Sequence, residues 1–199
     1  MKLSDHIHLR AAEKCDAPIL AQIVAMAIGD EHTLQNYCGT EYMSVLEEIA
    51  SSDSTQYSWK NAIVAYIDNI PAGAIICYDG ASLETLRKET FGILKNYGIK
   101  PEGICDETQP GEFYIDSIGV LPQFRSCGIG KQLIDAASQK AIQQGHTNIG
   151  LLVDFQNPNA EKLYTSIGFA RKDIVQFFGH EMWHLQKELS TDIRNTHQV

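Results

Sequence analysis

The sequence predicts a mixed α/β (α+β) fold in one domain, and three observations carry that expectation. A strand-like run over 113–121 leads into Arg125-Ser-Cys-Gly128-Ile-Gly130, then into a helical pattern over about 130–144, and 149–153 reads as a buried strand. Two such strands joined by a helix make a parallel pair with a right-handed crossover. The runs 61–67 and 72–78 are β-type and are joined by Asp68-Asn-Ile-Pro71, a hairpin signal. With 199 residues the chain is long enough to bury one sizeable core, and no internal repeat or interdomain linker divides it, so 1–199 is read as a single domain.

The remaining elements follow from local rules. Ile7, Leu9 and Ala11 alternate and mark a first strand; Asp16 with Pro18 opens a helix that carries Ile19, Ile23 and Ala27 on one face. A second helix follows Thr40. After the hairpin, 82–96 is helix-like, and the stretch 79–111 as a whole is long for a connection between two strands. In the helix over 130–144, Leu133, Ile134, Ala137 and Ala141 share one side, and Gly145 stops it. Asn157 is a good N-cap, Pro158 suits the first helical position and Gly168 suits a left-handed stop, so 157–168 is a short helix with Ala160, Leu163 and Ile167 toward the sheet and Tyr164 beside them. The runs 171–178 and 180–187 form a last strand pair turned at Gly179, and the polar residues 188–199 are expected to fray.

Composition narrows the function classes. Net charge is −9, from 16 basic and 25 acidic residues, which argues against a nucleic-acid partner. No segment approaches the ~20 consecutive apolar residues of a membrane span, and the opening residues lack the apolar core of a signal peptide, so no membrane partner and a cytoplasmic location are expected. Five cysteines, at 15, 38, 77, 105 and 127, are odd in number and without C-x-x-C spacing; they read as reduced thiols. The seven histidines show no metal spacing, and no metal is expected. Residues 1–60 hold nine carboxylates against four cations, whereas 120–134 contain Arg125 and Lys131 and no acid. An acidic chain thus carries one locally cationic loop, as an anionic ligand requires.

That loop supplies Gly128, Gly130, free backbone N–H groups and the Arg125 guanidinium at a helix N-terminus, where unpaired amides and the helix dipole favour a phosphate. It is not a dinucleotide fingerprint, because Leu133 stands where a third glycine belongs. A nucleotide P-loop would need Ser or Thr after Lys131, where Gln132 stands, and a glycine in place of Arg125. Cys127, inside the loop, reads as a small spacer, with a thiol activated by the helix N-terminus as the alternative.

The segment 120–133, Val120-Leu-Pro122-Gln-Phe-Arg125-Ser-Cys-Gly128-Ile-Gly130-Lys131-Gln-Leu133, resembles motif A of the GNAT N-acetyltransferases, R/Q-x-x-G-x-G/A. Asn157-Pro-Asn-Ala160-Glu-Lys-Leu163-Tyr164-Thr-Ser-Ile-Gly168-Phe169 resembles the family's motif B at the expected distance downstream. The order of elements is similar to that fold from end to end. The resemblance implies a central mixed, mostly antiparallel sheet flanked by helices, with splayed parallel fourth and fifth strands. It implies acetyl-coenzyme A as cosubstrate, its pyrophosphate on the backbone of Arg125, Ser126, Cys127, Gly128, Ile129, Gly130 and Lys131. Its pantetheine arm would pair with Ile118 and Val120 and meet Asn157, and the Val120 N–H would donate to the thioester oxygen. A bulge at Gly119 would splay the strands. Tyr164 would return a proton to the leaving thiolate.

The acceptor is then a primary amine of a small molecule or peptide; a free alkyl amine has a pKa near ~10 and needs a base. Glu112-Phe-Tyr114-Ile-Asp116 places Glu112, Tyr114 and Asp116 on one strand face by alternation, with Asp116 the first choice as base and Glu112 the second. Two rivals stay open: a non-catalytic acyl-coenzyme A sensor and a same-fold transferase with a longer acyl donor. A homodimer is also left open. The stretch 79–111 departs from the family's short hairpin and is either an idle surface insertion or a wall of the acceptor site.

Overall fold

The protein, seen in a computed structural model, is described over residues 7–100 and 104–190. Strand β1 (Ile7–Ala11) precedes helix α1 (Ala17–Ile28), which starts with Pro18 in its first turn and buries Ile19, Leu20, Ile23 and Val24, while Ala27 is exposed. Helix α2 (Glu31–Cys38) was not legible as a helix, yet it has a cap: the Asp30 carboxylate accepts from the Thr33 amide at 2.9 Å and the Thr33 hydroxyl at 2.6 Å. Helix α3 (Tyr42–Ser51) follows. Strands β2 (Ala62–Ile67) and β3 (Ile70–Asp79) turn on two residues, Asp68 and Asn69, both with positive φ as a two-residue hairpin turn demands. Ile70 and Pro71, expected in the turn, therefore begin β3.

Helix α4 (Leu83–Asn96) lies between β3 and strand β4 (Phe113–Val120). Helix α5 (Ile129–Gln143) ends before Gly145 at φ 84°, and strand β5 (Asn148–Asp154) follows. Helix α6 (Pro158–Ser166) is capped by Asn157, whose side-chain oxygen accepts from the Ala160 amide at 3.2 Å. Ala160, Tyr164 and Ile167 pack toward the core, but Leu163, expected beside them, is exposed. Strands β6 (Ala170–Phe177) and β7 (His180–Glu188) close the chain, and buried Leu189 extends the order past the point where fraying was expected, its amide bonded to the Thr147 carbonyl at 2.8 Å. The rest of the expected tail, 191–199, lies outside the described residues, as do 1–6.

One sheet holds all seven strands in the order β1-β2-β3-β4-β5-β7-β6, antiparallel throughout except for β4 beside β5. Helices α1 to α4 cover one face around Leu20, Ile23, Leu46, Ile49 and Ile76. Helix α5 covers the other, with Leu133, Ile134, Ala137 and Ala141 against Ile75, Phe113, Ile115 and Leu151. Each fully buried aliphatic side chain contributes roughly 1.5–3 kcal/mol, so both layers are firmly docked.

The parallel pair is short. Phe113–Ile115 pair with Ile149–Leu151, and beyond them the two strands part. The cause is a bulge in β4, since Ser117 faces Ile76 and Ile115 faces Cys77, which leaves Asp116 as the extra residue. The bulge is thus at Asp116 and not at Gly119, which stays paired with Ala74. Gly119 serves helix packing instead. A Cβ there would stand 3.0 Å from the Ile23 Cδ1, so its lack of a side chain lets α1 lie close on the sheet.

Candidate active site

The glycine loop is built where β4 hands over to α5. Gly128 occupies the N-cap of α5 at φ 81°, and a Cβ built on it would meet nothing within 4 Å; one on Gly130 would meet only the Val120 Cγ2, at 4.0 Å. Both glycines therefore leave open space over the helix end, where the first amides have no carbonyl one turn back and carry a partial positive charge. Ile129 is buried and anchors the helix start, so its backbone, not its side chain, faces that space. Arg125 is exposed and donates from Nε to the Val120 carbonyl at 3.3 Å. Exposed Ser126 has a positive φ of 63°, the half-buried Cys127 thiol points to the Arg125 carbonyl at 3.5 Å, and Lys131 pairs with Asp135 at 3.0 Å.

A backbone edge runs from the loop into the gap between β4 and β5. The Leu121 amide donates to the Ala72 carbonyl at 2.8 Å, and successive peptide groups of a strand face opposite sides. The amides and carbonyls of Val120 and Ile118 therefore turn away from β3, toward the gap.

The gap opens into a cavity of about 440 Å³. Its walls come from Tyr114 to Ile118 of β4, Leu151 to Asp154 of β5, Asn157, Ala160 and Tyr164 at α6, the end of α1 and the β6–β7 turn. Val120 is not among the lining residues; Ile118 is. Burial pushes the Tyr164 hydroxyl up to about 12, and its ring meets Phe169 edge-on at 6.0 Å.

Asp116 and Glu107 both line this cavity. Asp116 accepts from the Tyr78 hydroxyl at 2.7 Å and the Ser117 hydroxyl at 2.9 Å. Glu107 accepts from the Gln56 amide at 2.8 Å and from Arg87, which also binds Asp106 at 2.5 Å and the Cys105 carbonyl at 3.1 Å. Burial raises both carboxyls, and the Asp116 charge adds to the rise of Glu107, which reaches about 7. Glu107, Arg87, Gln56 and Tyr78 were not singled out from the sequence. The one signal available was the unusual length of 79–111, which here supplies a wall of the cavity.

Glu112 lies elsewhere. Its carboxylate accepts from Thr108 at 2.6 Å and from His184 and Gln186, each at 2.9 Å, and it does not line the cavity. Gly150 makes room for it, since a Cβ there would collide with the Glu112 Oε2. Burial works against its charge, but those three donors prevail and hold the carboxyl below the usual range. Alternation did put Glu112 on the face of Tyr114 and Asp116; strands β5 and β7 then claimed it.

A second hollow of about 780 Å³ adjoins the first, sharing Thr33, Phe178 and His180, and is bordered by Asp30, His32, Asn36 and Lys100. Glu31 does not line it. Among the described residues no group of three or more His, Cys, Asp or Glu side chains is arranged to hold a metal ion, and no helix is long and apolar enough to cross a membrane.

Comparison with known proteins agrees with this geometry. Residues 32–169 match the model of the acetyltransferase (GNAT) family. A mycothiol acetyltransferase of Renibacterium salmoninarum is 36% identical over 70 residues, 35% of this chain and 20% of that protein, so the match spans about a fifth of the curated relative's length. A crystal structure described as an acetyltransferase superposes with a TM-score of 0.76 at 29% identity, covering 92% of this chain and all of the other. An N-acetyltransferase from Staphylococcus aureus Mu50 shares the fold with a TM-score of 0.76 at 23% identity, over 90% of this chain and 99% of its own.

Proposed function

Since the chain belongs to the GNAT family of acetyltransferases, we propose that it is an acetyl-coenzyme A-dependent N-acetyltransferase acting on a primary amine of a small molecule or peptide. The observation that carries this reading is the gap between β4 and β5. It leads from an open helix N-terminus, along a backbone edge turned away from β3, to a cavity holding Tyr164 and Asp116.

The residues present fit the cosubstrate, because the space over Gly128 and Gly130 is one that any side chain would fill. When bound, acetyl-coenzyme A supplies the acetyl group as a thioester. The amides of 126–131 and the Arg125 guanidinium hold its phosphates, the backbone of Val120 and Ile118 pairs with the pantetheine arm, and the free amide side of Asn157 meets the same arm. Donation to the thioester oxygen, expected of Val120, falls to the Ile118 amide, which borders the cavity where Val120 does not. Tyr164 stays protonated across the working pH range and returns a proton to the departing sulfur. A thiolate formed beside it is raised by the same desolvation, so its ordinary pKa of ~8.5 understates its appetite for that proton.

The acceptor side favours a cation. Glu107, Asp116 and Asp154 line the cavity together with the aromatic Tyr57, Tyr114, Phe177 and Phe178, and no Lys or Arg is among its lining residues. The acidic floor formed by these carboxylates draws off the ammonium proton. A non-catalytic acyl-coenzyme A sensor would need neither the buried phenol nor that floor.

The test is thiol release from acetyl-coenzyme A against a panel of primary amines, with the product identified by mass. Amine-dependent release and an acetylated amine are expected; coenzyme A binding without release for any amine would favour the sensor.

A further inference from the structure

Glu107 reaches the cavity from outside the sheet, on the irregular run between α4 and β4, and its neighbours hold it there. Arg87, on α4, is itself buried and grips Glu107, Asp106 and the Cys105 carbonyl together, which fixes three successive residues of that run. Gln56, 2% exposed, donates to the Glu107 Oε1, while its own Oε1 is the one buried side-chain oxygen or nitrogen without a partner among the described residues. We infer that Glu107 is the carboxylate that takes the acceptor's proton, with Asp116 as its charge partner and Arg87 as its positioning residue; this rests on the transferase reading above.

The transfer is a simple one. An N–H bond of the ammonium breaks, an O–H bond forms on Glu107, and the nitrogen keeps the electron pair with which it attacks. Glu107 then returns the proton to solvent through the open cavity. The Gln56 amide serves both states of that cycle: its NH₂ donates to the ionised carboxylate, and turned over, its orphan oxygen accepts from the protonated one. Asp116 instead receives the Tyr78 and Ser117 hydroxyls on its two oxygens, so its acceptor sites are already taken by groups anchored on β3 and β4.

The groups facing Glu107 fix the direction of each pH effect. They are Arg87 from α4, Asp106 beside it, Tyr78 from β3, Tyr114 and Asp116 from β4, Tyr37 from α2, and Gln56 and Tyr57 from the run after α3. Asp116 repels the Glu107 charge and Arg87 stabilises it. A base that must be ionised loses activity as pH falls through its pKa, here about 7, close to the best value for a base at neutral pH.

The experiment is the pH profile of kcat/KM for an amine that the wild type acetylates, with coenzyme A affinity measured in parallel. The wild-type acid limb is expected near pH 7. Asp116→Asn should move that limb down and Arg87→Met should move it up. Glu107→Gln should lower kcat by roughly 10²–10⁴ with coenzyme A affinity kept. A folded Glu107→Gln protein at the wild-type rate overturns the inference, and so does an acid limb that Asp116→Asn and Arg87→Met leave unmoved, even if Glu107→Gln fails to fold. A wild type that binds acetyl-coenzyme A but acetylates no amine overturns the transferase reading itself, a result the other outcomes do not mimic.

Discussion

The two halves of the cavity are made in different ways. The half that faces the glycine loop comes from one continuous stretch, β4 through α6, in which each residue's place follows from its neighbours in the chain. Gly128 opens α5, Asn157 caps α6, and Tyr164 sits on the inward side of α6. The half proposed for the acceptor is gathered from α1, the run after α3, α4, the 104–112 segment and the β6–β7 turn. The proposed donor site, which takes one fixed molecule, is written locally; the proposed acceptor site, assembled from scattered segments, is set by tertiary contacts.

The comparison can be broken first at Tyr164. Tyr164→Phe keeps the ring and its packing on Phe169 and removes only the hydroxyl, so kcat should fall by ~10²–10⁴ while the KM for acetyl-coenzyme A changes little. Steady-state kinetics decides, and an unchanged kcat would reduce Tyr164 to packing.

Glu112 sharpens the contrast between a buried acid proposed to take a proton and one that holds the fold. Glu112→Ala strips His184, Thr108 and Gln186 of a shared buried acceptor and should cost about 3–5 kcal/mol of stability, read by denaturant unfolding, with kcat retained in the folded protein. The sign with pH follows from its depressed folded pKa. The contribution is fully present above the unfolded Glu value of ~4.3 and is lost as pH falls through the lower folded value. A large loss of kcat at unchanged stability would return Glu112 to the catalytic set.

The smallest effect lies at the mouth. Asp30 borders the outer hollow and Glu31 does not, so long-range attraction of a cationic amine should make kcat/KM fall with salt, and Asp30→Asn should blunt that slope more than Glu31→Gln. Asn keeps an oxygen for the Thr33 amide, so the cap on α2 survives the change. A salt-independent rate would reduce the acidic excess to solubility.

Much of this was legible in the sequence, for physical reasons that also explain the rest. Strand alternation, the helix over 130–144 and the capped 157–168 segment depend on periods and caps that the chain carries locally. Helix α2 escaped because only Leu34, Tyr37 and Cys38 of its eight residues are buried, although Asp30 and Thr33 spelled its cap. Weak pairing points to a bulge at Gly119, but a register slip is decided between strands, and there it falls on Asp116. Glu107 had no signal beyond the length of 79–111; nothing in its neighbourhood says that Arg87 and Gln56, 20 and 51 residues away, will fold around it.

The most direct test of a prebuilt donor half is a calorimetric titration of coenzyme A into the wild type, Gly128→Glu and Asp116→Asn. Gly128→Glu forces a side chain into the left-handed φ of 81° and a negative charge into the phosphate space, so binding should vanish, whereas Asp116→Asn should bind like the wild type. A folded Gly128→Glu protein that binds coenzyme A with unchanged affinity would contradict the account at its base.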